Sequence, residues 1–258
     1  MAIDPLFVLS GFVVGIIVGL TGVGGGSLMT PLLVLLFNFH PATAVGTDLL
    51  YAAVTKSAGT LVNGFNKSVE WRIVGLLAAG SVPAAGLTIF WLATSGAHGG
   101  GANPVVSIVL GAMLLLTALS LFFRGRLMRF AGHHTQLPPR QQAALTLAMG
   151  AALGVLVSIS SVGAGAVGVT ALMLLYPRLP VQRIVGTDIA HAVPLTLVAG
   201  LGHLTIGNVD PGTLISLLAG SIPGIVIASQ FAPRLHEGVL RFSLGVVLAV
   251  VGARLILG

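Results

Sequence analysis

Among the ionisable residues inside long apolar stretches of the chain, four carry the argument: Asp48 and Lys56 in the run 43–65, and Asp188 and His191 in the run 184–206. An ionisable side chain in such a setting is costly and is by default a functional candidate. A carboxylate there can pass a proton, gate a path, or serve only as a cap or latch near a helix start, where the dipole favours it. A lysine can hold an anion or pair with a carboxylate. A histidine can carry a proton near neutral pH, or sit hydrogen-bonded in the interior. Asp48, Tyr51, Ala52, Thr55, Lys56 and Gly59 fall on one face at helical spacing, as do Asp188, His191, Ala192, Leu195, Thr196 and Ala199. Thr47 and Thr187 precede the two aspartates, so Thr47, Asp48, Tyr51, Thr187, Asp188 and His191 are the candidates for gating or proton coupling. Lys56 and Asp48 are about 12 Å apart along a helix axis, too far to bond directly. Lys56 is therefore expected either to pair with Asp188 or to meet an anion.

A second kind of chemistry is suggested by GLTGVGGGSLMTP at 19–31, with five glycines in thirteen residues, and by its weaker echo SSVGAG at 160–165. A nucleotide loop would need a following Gly-Lys-Ser/Thr or a βαβ setting, and neither is present. Glycines used only for close helix packing are a second reading. A third is a helix broken inside a membrane, where irregular backbone is tolerated if buried in protein or lining a wet cavity. The second half-helix would then begin in the interior, and free N–H groups near Gly25, Gly26 and Ser27, or near Gly165, Ala166 and Val167, would favour an anion. On that reading Thr21, Gly24, Gly25, Gly26, Ser27, Lys56, Ser160, Ser161, Gly163 and Gly165 contact substrate.

The elements that must position these groups are membrane helices. Of 258 residues, 55% are hydrophobic and 7% charged, with mean hydropathy +1.05, against roughly a quarter charged in a soluble domain. Runs 73–93, 104–123, 184–206, 212–232 and 238–257 are each about 20 residues, the length that crosses a bilayer core. Run 43–65 is a sixth span despite its two charges. Run 6–20 has neither a basic leader nor a small-residue cleavage site, and is not expected to be a cleaved signal. The net charge of +6 lies in short loops and reads as an orientation signal, with no nucleic-acid partner implied. There are no cysteines, which excludes disulfides and thiolate metal sites.

The chain also repeats itself. VGTDL at 45–49 recurs as VGTDI at 185–189, AGSVP at 79–83 as AGSIP at 219–223, and TGVGGG at 21–26 as SSVGAG at 160–165. Two membrane repeats follow, 1–123 and 141–258, joined by a basic cytoplasmic linker, 124–140. If run 142–176 enters the membrane and returns to the same side, all ten loop Lys and Arg residues fall on one face; if it crosses, they are split. The positive-inside rule selects the first arrangement. Each half is then a re-entrant broken-helix hairpin, of segments too short to span, followed by three transmembrane helices. Three crossings invert the second half relative to the first and place both termini outside. Such inverted repeats around a midplane site are the plan of secondary transporters.

The segment GLTGVGGGSLMTPLL, the VGTD pair, the repeated AGSVP and AGSIP, and the two-repeat layout together resemble the TauE/SafE family of membrane permeases over essentially the whole chain. The resemblance implies transport of small sulfur-containing anions, such as export of sulfite or movement of sulfoacetate and related organosulfonates across the bacterial inner membrane. The second half departs from the stricter first, with SSVGAG for TGVGGG and no proline matching Pro31.

The expectation is thus an all-α membrane transporter and not an enzyme, with no cofactor or metal, exporting sulfite or a short organosulfonate bound near the midplane between the repeats. Its partners are the anion and the lipid bilayer, and a homo-oligomer is compatible with the sequence. A cation or nickel/cobalt permease using Asp48, Asp188 and His191 is the alternative. An intramembrane hydrolase built on Ser27 or Ser161 with His191 lacks any sequence feature that fixes its geometry. His203, near the far end of its run, is expected at the membrane interface.

Overall fold

The computed structural model describes residues 4–21, 26–65, 67–95, 104–131, 138–231 and 237–257, and the side chains at most of them. These form ten helices, and among the described residues there is no strand. The first five are α1 (Pro5–Thr21), α2 (Gly26–Leu36), α3 (Pro41–Phe65), α4 (Trp71–Thr94) and α5 (Pro104–Ala131). The second five are α6 (Pro139–Ser160), α7 (Ala166–Leu175), α8 (Val181–Thr205), α9 (Pro211–Phe231) and α10 (Glu237–Leu257). Stretches 71–94, 106–123, 139–160 and 181–205 are long and apolar enough to cross a membrane. Polarity is inverted relative to a soluble protein: Leu6, Leu87, Phe90 and Val250 are exposed, whereas Asp48, Lys56, Asp188 and His191 are buried.

The break between α6 and α7 has a local cause. Ser161 takes φ 57° and closes α6 as a left-handed cap, and Gly163 and Gly165 follow at φ 123° and 137°, a region that only glycine enters without strain. α6 is longer than the half-helix expected from the sequence, because the end of the basic linker joins it: Pro139 sits in its first turn and Arg140 and Gln141 are exposed. Likewise α5 continues past 123 to Ala131.

Both hairpins return to the end from which they start. Phe7 near the start of α1 stacks on Phe37 just after α2, with ring centroids 4.5 Å apart. Gln142 near the start of α6 donates to the carbonyl of Leu175 at the end of α7, at 2.6 Å. The two hairpins open at opposite ends of the bundle. At one end Thr187 and Arg183 at the start of α8 meet Glu70 before α4. At the other, Thr47 meets Asp210 before α9, and the backbone N–H of Asp4 reaches Ser216.

Packing crosses between the two sets of five. The helix α1 lies along α9, α6 along α4, α3 along α8 and α5 along α10. Small residues permit the first two contacts. On α1, a Cβ at Gly11 or Gly15 would run into the carbonyls of Leu217 and Ser221, and on α9 one at Gly220 would meet that of Val8. The same pattern recurs where Gly150 and Gly154 on α6 admit the Leu77 and Ser81 carbonyls, and Gly80 on α4 admits that of Leu147. Backbones this close gain van der Waals contact and Cα–H···O interactions, the main source of helix adhesion where lipid removes the hydrophobic drive. The other two contacts are antiparallel: Gly46 lies against His203, Gly200 against Leu50 and Gly59 against Ile189 on α3 and α8, and Gly111 lies against Ile256 and Gly245 against Phe122 on α5 and α10.

Candidate functional site

The repeated VGTD motif divides its work residue by residue. Gly46 leaves room for the carbonyl of Asn208, and Gly186 for that of Ser68. Thr47 Oγ1 accepts the backbone N–H of Asp210 at 3.1 Å, and Thr187 Oγ1 that of Glu70 at 2.9 Å. Each threonine thus ties α3 or α8 to the start of the other set's fourth helix, satisfying a backbone donor left over at a helix N-terminus. The aspartates turn inward, 0% and 1% exposed.

There the equivalence ends. Asp48 Oδ2 accepts three hydrogen bonds: from the backbone N–H of Thr30 at 3.2 Å, from the Thr30 hydroxyl at 2.5 Å, and from the Ser161 hydroxyl at 3.0 Å. It therefore joins α2 to the break between α6 and α7, while its Oδ1 has no partner. Asp188 takes no hydrogen bond among the described residues, its Oδ1 is unpartnered, and a Cβ on Gly168 in the first turn of α7 would strike that oxygen.

Lys56, 4% exposed, donates from Nζ to the carbonyl of Ala164 at 3.0 Å. The direct Lys56–Asp188 ion pair expected as one outcome is not formed, because the ammonium is taken by the backbone of the hairpin tip; its charge still acts on both carboxylates. Next to Ala164, α7 begins. The N–H of Gly168 bonds back to Gly163 and that of Val169 to Gly165, leaving the N–H groups of Ala166 and Val167 free among the described residues. A lysine, an unpartnered carboxylate oxygen and a helix N-terminus thus converge at one buried tip.

Ser161 and Lys56 belong to this cluster, and Gly163 and Gly165 shape it. Ser160 instead closes the turn on itself, accepting from Val162 N–H and donating to the carbonyl of Leu156. His191 Nε2 pairs with Ser81 Oγ at 2.9 Å, leaving Nδ1 without a partner. At the corresponding place Tyr51 faces Ser221, although the two hydroxyls fall short of hydrogen-bond geometry. His203, in the last turn of α8, is 1% exposed and its Nε2 pairs with the carbonyl of Ser158 at 2.8 Å. Gly24 and Gly25 lie outside the described residues, and Thr21, Gly26 and Ser27 are described in backbone only, at the end of α1 and the start of α2.

Sequence reasoning missed Thr30, Ser81, Ser221 and the Ala164 carbonyl. The two serines were detectable, since both sit in the repeated AGSVP and AGSIP motif. Thr30 borders the glycine block without a repeat signal, its counterpart being Val169. A backbone carbonyl leaves no trace in side-chain types.

Long apolar helices with exposed leucines, two broken hairpins and a buried ionisable centre define a polytopic helical membrane protein. The chain matches the family model described as sulfite exporter TauE/SafE over residues 7–255, and it belongs to that family. It is 38% identical to the probable membrane transporter protein YjnA of Bacillus subtilis, over 96% of this chain and 98% of that one. Identity is 28% to the probable membrane transporter protein YdhB of the same organism (97% and 99% covered). With the probable membrane transporter protein MJ0441 of Methanocaldococcus jannaschii it is 23% (98% and 95%). No solved structure matches.

Proposed function

We propose that this protein is a secondary transporter that exports a small sulfur-containing anion, sulfite or a short organosulfonate, across the bacterial inner membrane. The observation that carries the reading is the buried Lys56 ammonium at the hairpin tip beside the N–H groups of Ala166 and Val167, which are free among the described residues. A cation and a helix N-terminus in a dry interior compensate the lost hydration of an oxyanion. Asp48, Asp188, Tyr51 and His191 surround this centre as gating or proton-linked groups.

The same reading makes 1–123 and 141–258 inverted repeats, each a re-entrant hairpin and three crossings, with 124–140 cytoplasmic and both termini periplasmic. Hairpins that open at opposite ends, and α3 and α8 or α5 and α10 running antiparallel, support it. Rocking of one repeat against the other would expose the centre alternately to each side.

A cation or nickel/cobalt permease draws support from the unpartnered Asp48 Oδ1 and Asp188 Oδ1. Among the described residues, however, no three His, Asp or Glu side chains gather to hold a metal ion, and His191 Nε2 is already paired with Ser81. Purified protein in liposomes decides between them: sulfite or methanesulfonate flux above empty vesicles, and none of nickel or cobalt, is the expected result. Flux of the metals alone overturns the anion reading.

A further inference from the structure

The two aspartates of the repeated motif are equally buried but unequally held. Asp48 has three donors on one oxygen, from two different hairpins. That oxygen is thereby fixed in place, although the other, Oδ1, has no partner. Asp188 has no such donor among the described residues, yet it lies over the first turn of α7, whose leading N–H groups are likewise free among the described residues, and within the electrostatic reach of Lys56. A carboxylate beside a lysine and a helix N-terminus occupies the surroundings that an oxyanion would seek. Among the described residues Lys56 makes one hydrogen bond, to Ala164, which leaves two of its three donors for one anion or another.

We infer that Asp188 is a tethered stand-in for the substrate: its carboxylate neutralises Lys56 in the empty transporter, and it must take up a proton before a transported monoanion can replace it there. This rests on the proposed function and adds the coupling ion and the residue that carries it. The charges balance in both states. Empty, the pair is ammonium and carboxylate; loaded, it is ammonium, substrate anion and neutral carboxylic acid, the proton having come from the same side as the anion. Each crossing therefore moves one anion and one proton with no net charge. The empty form can cross back only with Asp188 ionised. Export on this scheme runs down the anion's own outward gradient and removes one acid equivalent with each anion.

Few other groups can produce the same pH dependence. Around α8, α3 contributes Asp48, Tyr51 and Lys56; α4 and α6 contribute Arg72 and Arg140 at their outer starts; α7 contributes no titratable side chain. On α8 itself Arg183 is paired with Glu70, His191 with Ser81 and His203 with the Ser158 carbonyl.

The test uses methanesulfonate, whose own charge does not change across the accessible pH range. Wild-type protein in liposomes, with voltage clamped by potassium and valinomycin, should move one internal-dye-detected proton per labelled anion at a rate independent of voltage. Above the pH at which Asp188 of the empty transporter gives up its proton, apparent affinity should fall about tenfold per unit of rising pH, as one linked proton requires. Asp188→Asn, a permanent mimic of the loaded carboxyl, should keep anion-for-anion exchange and lose net flux, proton movement and pH dependence. Asp188→Glu should restore coupling. Wild-type flux without protons, or flux that follows voltage, overturns the inference whether or not the variants fold. So does proton-coupled net flux in Asp188→Asn. If wild-type protein carries neither methanesulfonate nor sulfite, the proposed function itself has failed.

Discussion

Asp48 is held by donors from α2 and from the tip between α6 and α7, so removing one of them costs more than a surface hydrogen bond would. Thr30→Val deletes the hydroxyl donor while preserving shape, and should destabilise the protein by about 1–3 kcal/mol because a buried carboxylate oxygen loses one of its three donors. Thermal unfolding in detergent measures this, and Thr30→Ser should recover most of it. Lys56→Met removes the buried cation near the hairpin tip. Anion affinity measured by flux or isothermal titration should then fall at least tenfold, whereas unchanged affinity would make Lys56 a purely structural tie between α3 and Ala164.

At the scale of elements, the contacts of α1 with α9 and α4 with α6 depend on missing side chains. Gly80 and Gly86 lie on the same helix, but a Cβ at Gly80 would collide with the Leu147 carbonyl and one at Gly86 would meet nothing within 4 Å. Gly80→Ala should therefore lower the unfolding temperature and broaden the size-exclusion peak. Gly86→Ala should be neutral or slightly stabilising, by up to about 1 kcal/mol, since alanine is the better helix former. Equal effects of the two substitutions would show that backbone approach does not hold these helices together.

Taken whole, the molecule has described basic residues Lys67, Arg72, Arg140, Arg178 and Arg183 toward the end where Arg183 bonds Glu70. At the other end, around Thr47 and Asp210, Arg254 is the exception. On the proposed orientation, which the positive-inside rule favours, the first end faces the cytoplasm. Because the chain has no cysteine, single cysteines report sidedness directly. Lys67→Cys should react with an impermeant maleimide only from the cytoplasmic side, and Thr205→Cys only from the periplasmic side; the reverse pattern would overturn the assigned orientation.

Much of this was legible in the residue order. Apolar runs of bilayer length and so few charges leave helices as the structure that satisfies every backbone group in lipid, and the repeated VGTD and AGSVP/AGSIP motifs are what the proposal of two repeats rests on. The glycines that punctuate the second hairpin were recognisable because positive φ demands them. Partners were not legible. Whether Lys56 meets Asp188, an anion or a carbonyl depends on distances between helices 108 residues apart in the chain, and side-chain types are the same in each case. Nor does the motif reveal that Thr47 and Thr187 tie helix starts while Asp48 is held and Asp188 is not. Sequence identity made the two aspartates equivalent; the tertiary structure separated them, because Thr30 and Ser161 bring hydroxyls to Asp48, whereas Gly168 presents Asp188 with no side chain at all.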